Sequence, residues 1–116
     1  MQIKLIKKPT PISEIALLAK EQFGDMIKAV VDIERELIAA GGELHSDEEA
    51  ILLEDGSKQE YLWGINIYPD KSLPDQIEFD SMINIRPSLN NRSRGVEDPE
   101  IQSRILLVVK KLIAPQ

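Results

Sequence analysis

The only histidine of the chain lies at the start of an acidic segment. His45 is followed by Asp47, Glu48 and Glu49, and Asp80 lies in a later polar segment. An imidazole combined with carboxylates suits zinc, manganese or iron, and a divalent metal held in this way could activate water for hydrolysis. The spacing matches neither the two-histidine helix of zinc proteases nor a calcium-binding loop. One hypothesis is therefore a metal site of His45, Asp47 and Asp80, and the other is a set of helix-capping carboxylates beside a hydrogen-bonded histidine.

Three arginines and two of the asparagines in a second segment could form a binding site. These residues are Asn84, Arg86, Asn91, Arg92 and Arg94. Guanidinium groups bind carboxylates and phosphates through paired hydrogen bonds, and Gly95 permits main-chain amides to approach a ligand. The pattern predicts an anion site in which the arginines bind the ligand and the asparagines orient it. Because Glu97 and Asp98 offer the arginines partners within the chain, an ordered loop held by ion pairs is the alternative.

The two candidate sites meet if they share one face of a predicted sheet. In the segment 77–86, polar side chains alternate with apolar ones, and the segment 61–68 follows the same alternation. The polar set of the two segments comprises Asn66, Tyr68, Glu78, Asp80, Asn84 and Arg86. Such a face could bind a polar ligand, although an open sheet face is more often solvated or used in a subunit contact.

Three helices are predicted along the chain. They cover residues 13–23, 46–55 and 99–113. Ser13 is the expected N-cap of the first helix, and Ser46 with Glu49 forms a capping box for the second. Asp98 followed by Pro99 is a strong start for the third helix, because proline fits the first helical position.

Strands are predicted between these helices. They cover residues 3–6, 61–68 and 77–86. The segment 26–40 fits both an amphipathic helix and a strand, and its β-branched residues favour a strand that turns at Gly41–Gly42 and returns through residues 43–45. Gly64, inside a strand, indicates a close approach of another backbone or a bulge. The expected fold class is α+β, with a mostly antiparallel sheet of about four strands and two or three helices packed on one face.

Length, charge and composition limit the classes of protein to which this chain can belong. The 116 residues fit a single domain spanning residues 1–116. The absence of cysteine excludes disulfides, thiolate zinc sites and cysteine nucleophiles. A formal net charge of −6 weighs against a nucleic-acid partner. No apolar run reaches the roughly 20 residues of a membrane span, and the N-terminus lacks the apolar region of a signal peptide. These features predict an acidic cytoplasmic protein without a membrane partner.

Three long segments of the chain are similar to those of a known family. They read GGELHSDEEAILLEDGS, YLWGINIYP and IEFDSMINIRPSLNNRSRGVEDPEI. On these segments the chain resembles the uncharacterised bacterial family called domain of unknown function 5674, and the resemblance extends over about residues 4–113. It implies a small stand-alone prokaryotic protein. It implies no activity, so no catalytic residue can be transferred from the family.

The sequence supports three hypotheses for the function. The first is a small homo-oligomeric binding module for a polar or anionic ligand or for a protein partner, with the arginine-rich segment as its site. The second is a metal-dependent hydrolase that uses His45, Asp47 and Asp80, and the third is a structural component of an oligomer. The residues do not decide whether the protein is an enzyme, and the metal content of the purified protein would separate the first two hypotheses.

Overall fold

A five-stranded antiparallel sheet organises the part of the chain that the structure describes, which is residues 3–114 of a computed structural model. In chain order the elements are β1 (Lys4–Ile6), β2 (Thr10–Pro11), α1 (Ile12–Glu21), β3 (Ile27–Asp32), β4 (Leu37–Ala40), α2 (His45–Glu54), β5 (Leu62–Ile67), β6 (Ile77–Glu78), α3 (Pro99–Leu112) and β7 (Ile113–Ala114). The strand order in the sheet is β1-β4-β3-β5-β6, and β2 pairs with β7 in parallel. Within residues 3–114 no helix has the length and apolar character needed to cross a membrane.

The two central strands, β3 and β5, are buried on both faces, because helices cover the sheet from both sides. Successive side chains of a strand point to opposite faces. Ala29, Val31 and Ile65 pack in the larger core with α1 and α3, whereas Val30 packs with Leu52 of α2 in a smaller core. The α+β class and the antiparallel sheet are confirmed. Helices α1 and α3 share one face as expected, and α2 covers the other.

The segment 26–40 forms two strands joined by a tight turn. β3 and β4 pair in antiparallel fashion, and the Asp32 carboxylate shapes the four-residue turn between them. Its Oδ1 accepts hydrogen bonds from the amides of Glu34 and Arg35, each at 2.9 Å. The preference for a strand in this segment was correct. The predicted turn at Gly41–Gly42 and the returning strand were wrong, because Asp32 already reverses the chain earlier.

The predicted strand over residues 77–86 ends after β6, because the Asn84 side chain takes the place of a strand residue beside β5. Asn84 Oδ1 accepts from the Gly64 amide at 2.8 Å, and Asn84 Nδ2 donates to the Gly64 carbonyl at 3.0 Å. A side-chain amide offers the same donor and acceptor as a peptide group, so it satisfies this edge of β5. The chain itself turns through a 3-10 helix at Met82–Asn84.

One of the three predicted helix starts is confirmed, and the other two lie elsewhere in the structure. α3 begins at Pro99 after the N-cap Asp98, as predicted. α1 begins one residue before Ser13, which therefore is not its N-cap. α2 begins at His45 rather than after Ser46, and no side chain among the described residues caps it. The main-chain amides in the first turn of α2 therefore receive no hydrogen bond acceptor from a capping side chain within residues 3–114.

The contact between Gly64 and Ser81 yields a first prediction. A Cβ atom at residue 64 would lie 2.5 Å from both Cβ and Oγ of Ser81, so Gly64→Ala is expected to lower the free energy of unfolding by about 1–3 kcal/mol. Urea denaturation measures this loss. The double variant Gly64→Ala/Ser81→Gly should recover part of it, because the second change removes the clashing atoms. Purely additive losses in the double variant would contradict the proposed clash.

Candidate functional site

A cavity of about 280 Å³ lies between the first turn of α2, β5 and the chain that follows β6. The ionisable and amide side chains in its wall are Lys28, His45, Asn66, Asp80 and Arg94. Ser46 and Ser81 contribute hydroxyl groups to the same wall. His45 also packs over Gly64, since its Cδ2 atom would lie 3.2 Å from a Cβ at that position. The absence of a side chain at Gly64 thus lets His45 of α2 pack closely against β5.

His45 contributes a neutral ring to the cavity. Its Nε2 lies 2.8 Å from the carbonyl oxygen of Ile65, and this nitrogen must carry the proton because a carbonyl oxygen can only accept. Burial lowers the pKa of His45 below its usual value of 6.5, the positive charges of Lys28 and Arg94 act in the same direction, and the hydrogen bond to Ile65 and the charge of Asp80 oppose them. The neutral ring therefore keeps Nδ1 as a hydrogen-bond acceptor.

Two cationic side chains and one carboxylate give the cavity a positive balance. Lys28 and Arg94 are the cations, and Arg94 Nε donates to Asp80 Oδ1 at 2.6 Å. The side chains of this ion pair are 55% and 40% exposed, so a ligand from solvent can reach both. The first turn of α2 adds the partial positive charge of a helix N-terminus. With His45 neutral, these groups favour a negatively charged ligand.

Asn66 lies in the wall of the cavity and has a buried amide oxygen. The residue is 6% exposed, and its Nδ2 donates to Glu78 Oε1 at 2.9 Å and to the Asp80 carbonyl at 3.5 Å. These contacts fix the orientation of the amide, because the opposite orientation would place Oδ1 against a carboxylate. Asn66 Oδ1 has no hydrogen-bond partner among residues 3–114. A buried acceptor of this kind is costly unless a donor reaches it.

The residues predicted to bind an anion separate in the structure. Arg94 lines the cavity, whereas Arg92 is exposed and does not. Asn84 is fully buried and bonds to Gly64 and to the Arg94 carbonyl. Asn91 donates to three carbonyl oxygens of the loop, and its Oδ1 accepts from the Glu97 amide at 2.8 Å. The amide groups of both asparagines are thus engaged in hydrogen bonds that hold the loop carrying Arg94.

Arg86 occupies a second cavity, of about 690 Å³, on the other side of the Met82–Asn84 turn. Its side chain is 11% exposed, donates to Glu49 Oε2 at 3.2 Å, and lies over the Trp63 ring with Cζ 5.2 Å from the ring centroid. Burial lowers the pKa of Arg86, while the charge of Glu49 raises it. Because a carboxylate of α2 already partners this guanidinium, Arg86 joins α2 to the loop and does not extend the first cavity.

The residues predicted to bind a metal are only partly brought together. His45 and Asp80 line the same cavity, but Asp47 is exposed in the first turn of α2 and does not line it. In the part of the chain covered by the structure, no group of three or more histidine, cysteine, aspartate or glutamate residues is arranged to hold a metal ion.

The sequence prediction missed two residues that shape this site. Lys28 is the only basic residue of β3, and this charge within a buried strand was the available signal. Glu48 was interpreted as a capping charge, yet it is fully buried with Oε2 2.8 Å from the Gly42 amide. Glu48 follows His45 by one helical turn, and this spacing places both side chains against the sheet.

Comparison with known proteins places the whole site within one family. The sequence profile of a family described as "Protein of unknown function (DUF5674)" matches residues 4–112. The chain belongs to this family. The resemblance identified from the sequence is therefore confirmed, and every cavity residue described above lies within the DUF5674 match. No curated protein and no solved structure matches the chain.

Proposed function

We propose that this DUF5674 protein is a binding module for a small anionic ligand, which is held in the cavity beside the first turn of α2. The observation that carries the proposal is that Lys28 and Arg94 line a cavity together with the start of a helix that has no side-chain cap among the described residues. Helix N-termini and cationic side chains both favour a negative charge, and they act together here.

The chemistry of the cavity suits binding in two ways. Arg94 presents a guanidinium group, which matches a carboxylate or phosphate geometrically, and its ion pair with Asp80 is exposed enough for a ligand to share or replace it. His45 stays neutral at physiological pH because burial lowers its pKa, so it offers a hydrogen bond to a ligand without a further charge. The ligand would be small, since the cavity measures about 280 Å³.

Anion binding is expected to raise the melting temperature. A ligand at 100 times its dissociation constant adds about 2.7 kcal/mol to the free energy of unfolding, which corresponds to a shift of several degrees for a domain of this size. Thermal unfolding should be measured with sodium salts of propanoate, lactate, phosphate and sulfate at constant ionic strength, with sodium chloride as reference. Arg94→Gln should at least halve the shift, because it removes one of the two cations that line the cavity.

Arg92→Gln is the matched control for this experiment. Arg92 lies two residues from Arg94, is exposed and does not line the cavity, so its loss should leave the anion-dependent shift unchanged. The two variants change the net charge equally, and a difference between them therefore isolates the cavity from general charge effects. The proposal fails if no anion raises the melting temperature above the chloride reference, or if Arg92→Gln and Arg94→Gln reduce the shift equally.

A further inference from the structure

The cavity beside the first turn of α2 has an apolar part as well as a charged part. Lys28 and Arg94 provide positive charge, and Asp80 adds a carboxylate. Three apolar side chains line the same cavity, and they belong to Leu44, Met82 and Ile83. A simple anion such as sulfate would contact only the charged part favourably. A ligand that also carries an apolar group would contact both parts.

Two of these apolar side chains are open to solvent. Leu44 is 53% exposed, and Met82 is 65% exposed. Single exposed apolar residues are common on protein surfaces, but these two border one cavity, so one bound apolar group could cover both. Removing apolar surface from water is favourable in proportion to the area covered. The exposed surfaces of Leu44 and Met82 can therefore contribute to the affinity for a ligand.

The fold holds the apolar part in place. Leu44 immediately precedes α2, and Met82 begins the 3-10 helix that follows β6. The Ile83 amide donates to Ser81 Oγ at 3.2 Å, and the Ile83 side chain packs against the smaller core. Because these contacts fix the turn on both sides of Met82, little backbone ordering is needed when a ligand covers its side chain.

The charges in the wall favour a ligand with a single negative charge. With the His45 ring neutral, two cations and one carboxylate leave a formal surplus of one positive charge. A second charged group on the ligand would have to lie against Leu44 and Met82. There it would lose water without gaining a partner, which is costly. The part of the ligand beyond its anionic group should therefore be apolar.

We infer that the ligand of this cavity is a small aliphatic monocarboxylic acid, whose carboxylate lies at Lys28 and Arg94 and whose hydrocarbon chain covers Leu44 and Met82. This inference rests on the proposed function, since it specifies the ligand of the same cavity. The volume of about 280 Å³ restricts the chain to a few carbon atoms. Inorganic anions lack the chain, and neutral alcohols lack the charge.

Four related compounds test the inference on the unaltered protein. Acetate, butanoate, butanedioate and butan-1-ol should be compared by NMR titration of the backbone amides, which measures weak binding and locates it. Butanoate should bind about tenfold more tightly than acetate, since each added methylene group that leaves water contributes up to about fourfold. Butanedioate carries a second carboxylate in place of the methyl group and should lose this advantage. Butan-1-ol lacks the negative charge and should bind about tenfold more weakly than butanoate.

Two variants test whether the chain lies in this cavity. Met82→Gln keeps the length of the side chain but makes it polar, so it should reduce the preference for butanoate over acetate about threefold and leave the affinity for acetate unchanged. Leu107→Gln is the matched control, because Leu107 is 66% exposed on α3 and does not line the cavity. This variant should keep the full preference. Both positions are exposed, so both variants should fold like the wild type.

The outcomes separate this inference from the proposed function. If acetate and butanoate bind equally well, the inference is wrong and the anion site stands. Binding of butanedioate or butan-1-ol as tight as that of butanoate would likewise overturn it, as would an equal preference in Met82→Gln and Leu107→Gln. If no carboxylate, phosphate or sulfate binds, the proposed function itself fails. Sedimentation velocity should give the same oligomeric state for wild type and Met82→Gln, because a dimer that this variant dissociates would assign Leu44 and Met82 to a contact between two copies and overturn the inference.

Discussion

Replacing Glu48 by glutamine is expected to stabilise the protein by about 3 kcal/mol at pH 7, and the effect should depend steeply on pH. Glu48 is fully buried on α2, and its Oε2 accepts from the Gly42 amide at 2.8 Å. Burial raises the pKa of Glu48 from 4.5 to about 9, although the amides of Gly42 and Gly41 and the charge of Lys28 oppose this shift. The folded protein therefore holds a protonated carboxyl group that the unfolded chain would ionise.

The sign of the pH dependence follows from proton binding. Between about pH 4.5 and pH 9 the folded state binds one proton at Glu48 that the unfolded state releases, so stability falls by about 1.4 kcal/mol per pH unit as the pH rises. The contribution of Glu48 is fully present below about pH 4.5 and is lost by about pH 9. Glutamine cannot ionise and has nearly the same shape, so Glu48→Gln should match the wild type near pH 4.5 and exceed it increasingly above.

Urea denaturation at several pH values measures this difference. Glu54→Gln is the matched control, because Glu54 is an exposed glutamate of the same helix and its loss should change stability by less than about 0.5 kcal/mol at any pH. A difference between wild type and Glu48→Gln that stays constant with pH would show that Glu48 is ionised in the folded state. His45 acts in the opposite direction, since its lowered pKa removes stability as the pH falls below 6.5.

Glu48 also bears on the candidate site, because it lies one turn after His45 on the buried side of α2. Both side chains are held against the sheet, and Lys28 influences the pKa of each. A protein that only needed stability would gain from an apolar or amide residue at position 48. A buried acid on the helix whose first turn borders the cavity is a feature that stability does not explain, and such exceptions are typical of functional regions.

Some elements could be predicted because their signals are local. The strand β5 follows from the alternating pattern of the segment 61–68, and α3 follows from the cap Asp98 and from Pro99. These signals lie within a few residues of the element that they specify. The reversal at Asp32 also has a local cause, yet the Gly41–Gly42 pair offered a stronger turn signal in the sequence.

The other elements depend on contacts between distant residues. The alternation in the segment 77–86 indicates a strand, but Asn84 bonds to Gly64, and this contact bends the chain away from the sheet. The predicted capping box at Ser46 does not form, because α2 already begins at His45, which packs over Gly64. Local propensity cannot represent either contact. Gly64 indicated a close approach of another backbone or a bulge, whereas its close neighbours are the side chains of Ser81 and His45.

The candidate site was likewise predictable in its residue types but not in its arrangement. His45, Asp80 and Arg94 were each selected from the sequence for their chemistry, but they were assigned to two different sites. The structure brings them to one cavity, which also includes Lys28 and Asn66. These five residues come from α2, β3, β5 and the chain between β6 and α3, so only the tertiary fold places them together. Residue type indicated the chemistry, and topology decided which groups share a site.

Replacing Asn84 by alanine is expected to destabilise the protein by about 3–5 kcal/mol, because several buried polar groups lose their partners. Asn84 Oδ1 accepts from the Gly64 amide, and its Nδ2 donates to the carbonyls of Gly64 and Arg94 at 3.0 and 2.9 Å. Alanine removes all three hydrogen bonds and leaves a void. The free energy of unfolding from urea denaturation measures the loss, and amide exchange at Gly64 should become faster than in the wild type.

The consequence for binding follows from the bond between Asn84 and the Arg94 carbonyl. Without this bond the loop loses a constraint on Arg94, so the anion-dependent rise in melting temperature should shrink in Asn84→Ala. Asn90→Gly is the matched control, since Asn90 is an exposed asparagine of the same loop with φ 60, a conformation that glycine adopts freely. That variant should keep both stability and anion response. If Asn84→Ala retained its stability and the protection of the Gly64 amide, then Asn84 would not take the place of a strand, and another contact would have to hold Arg94 at the cavity.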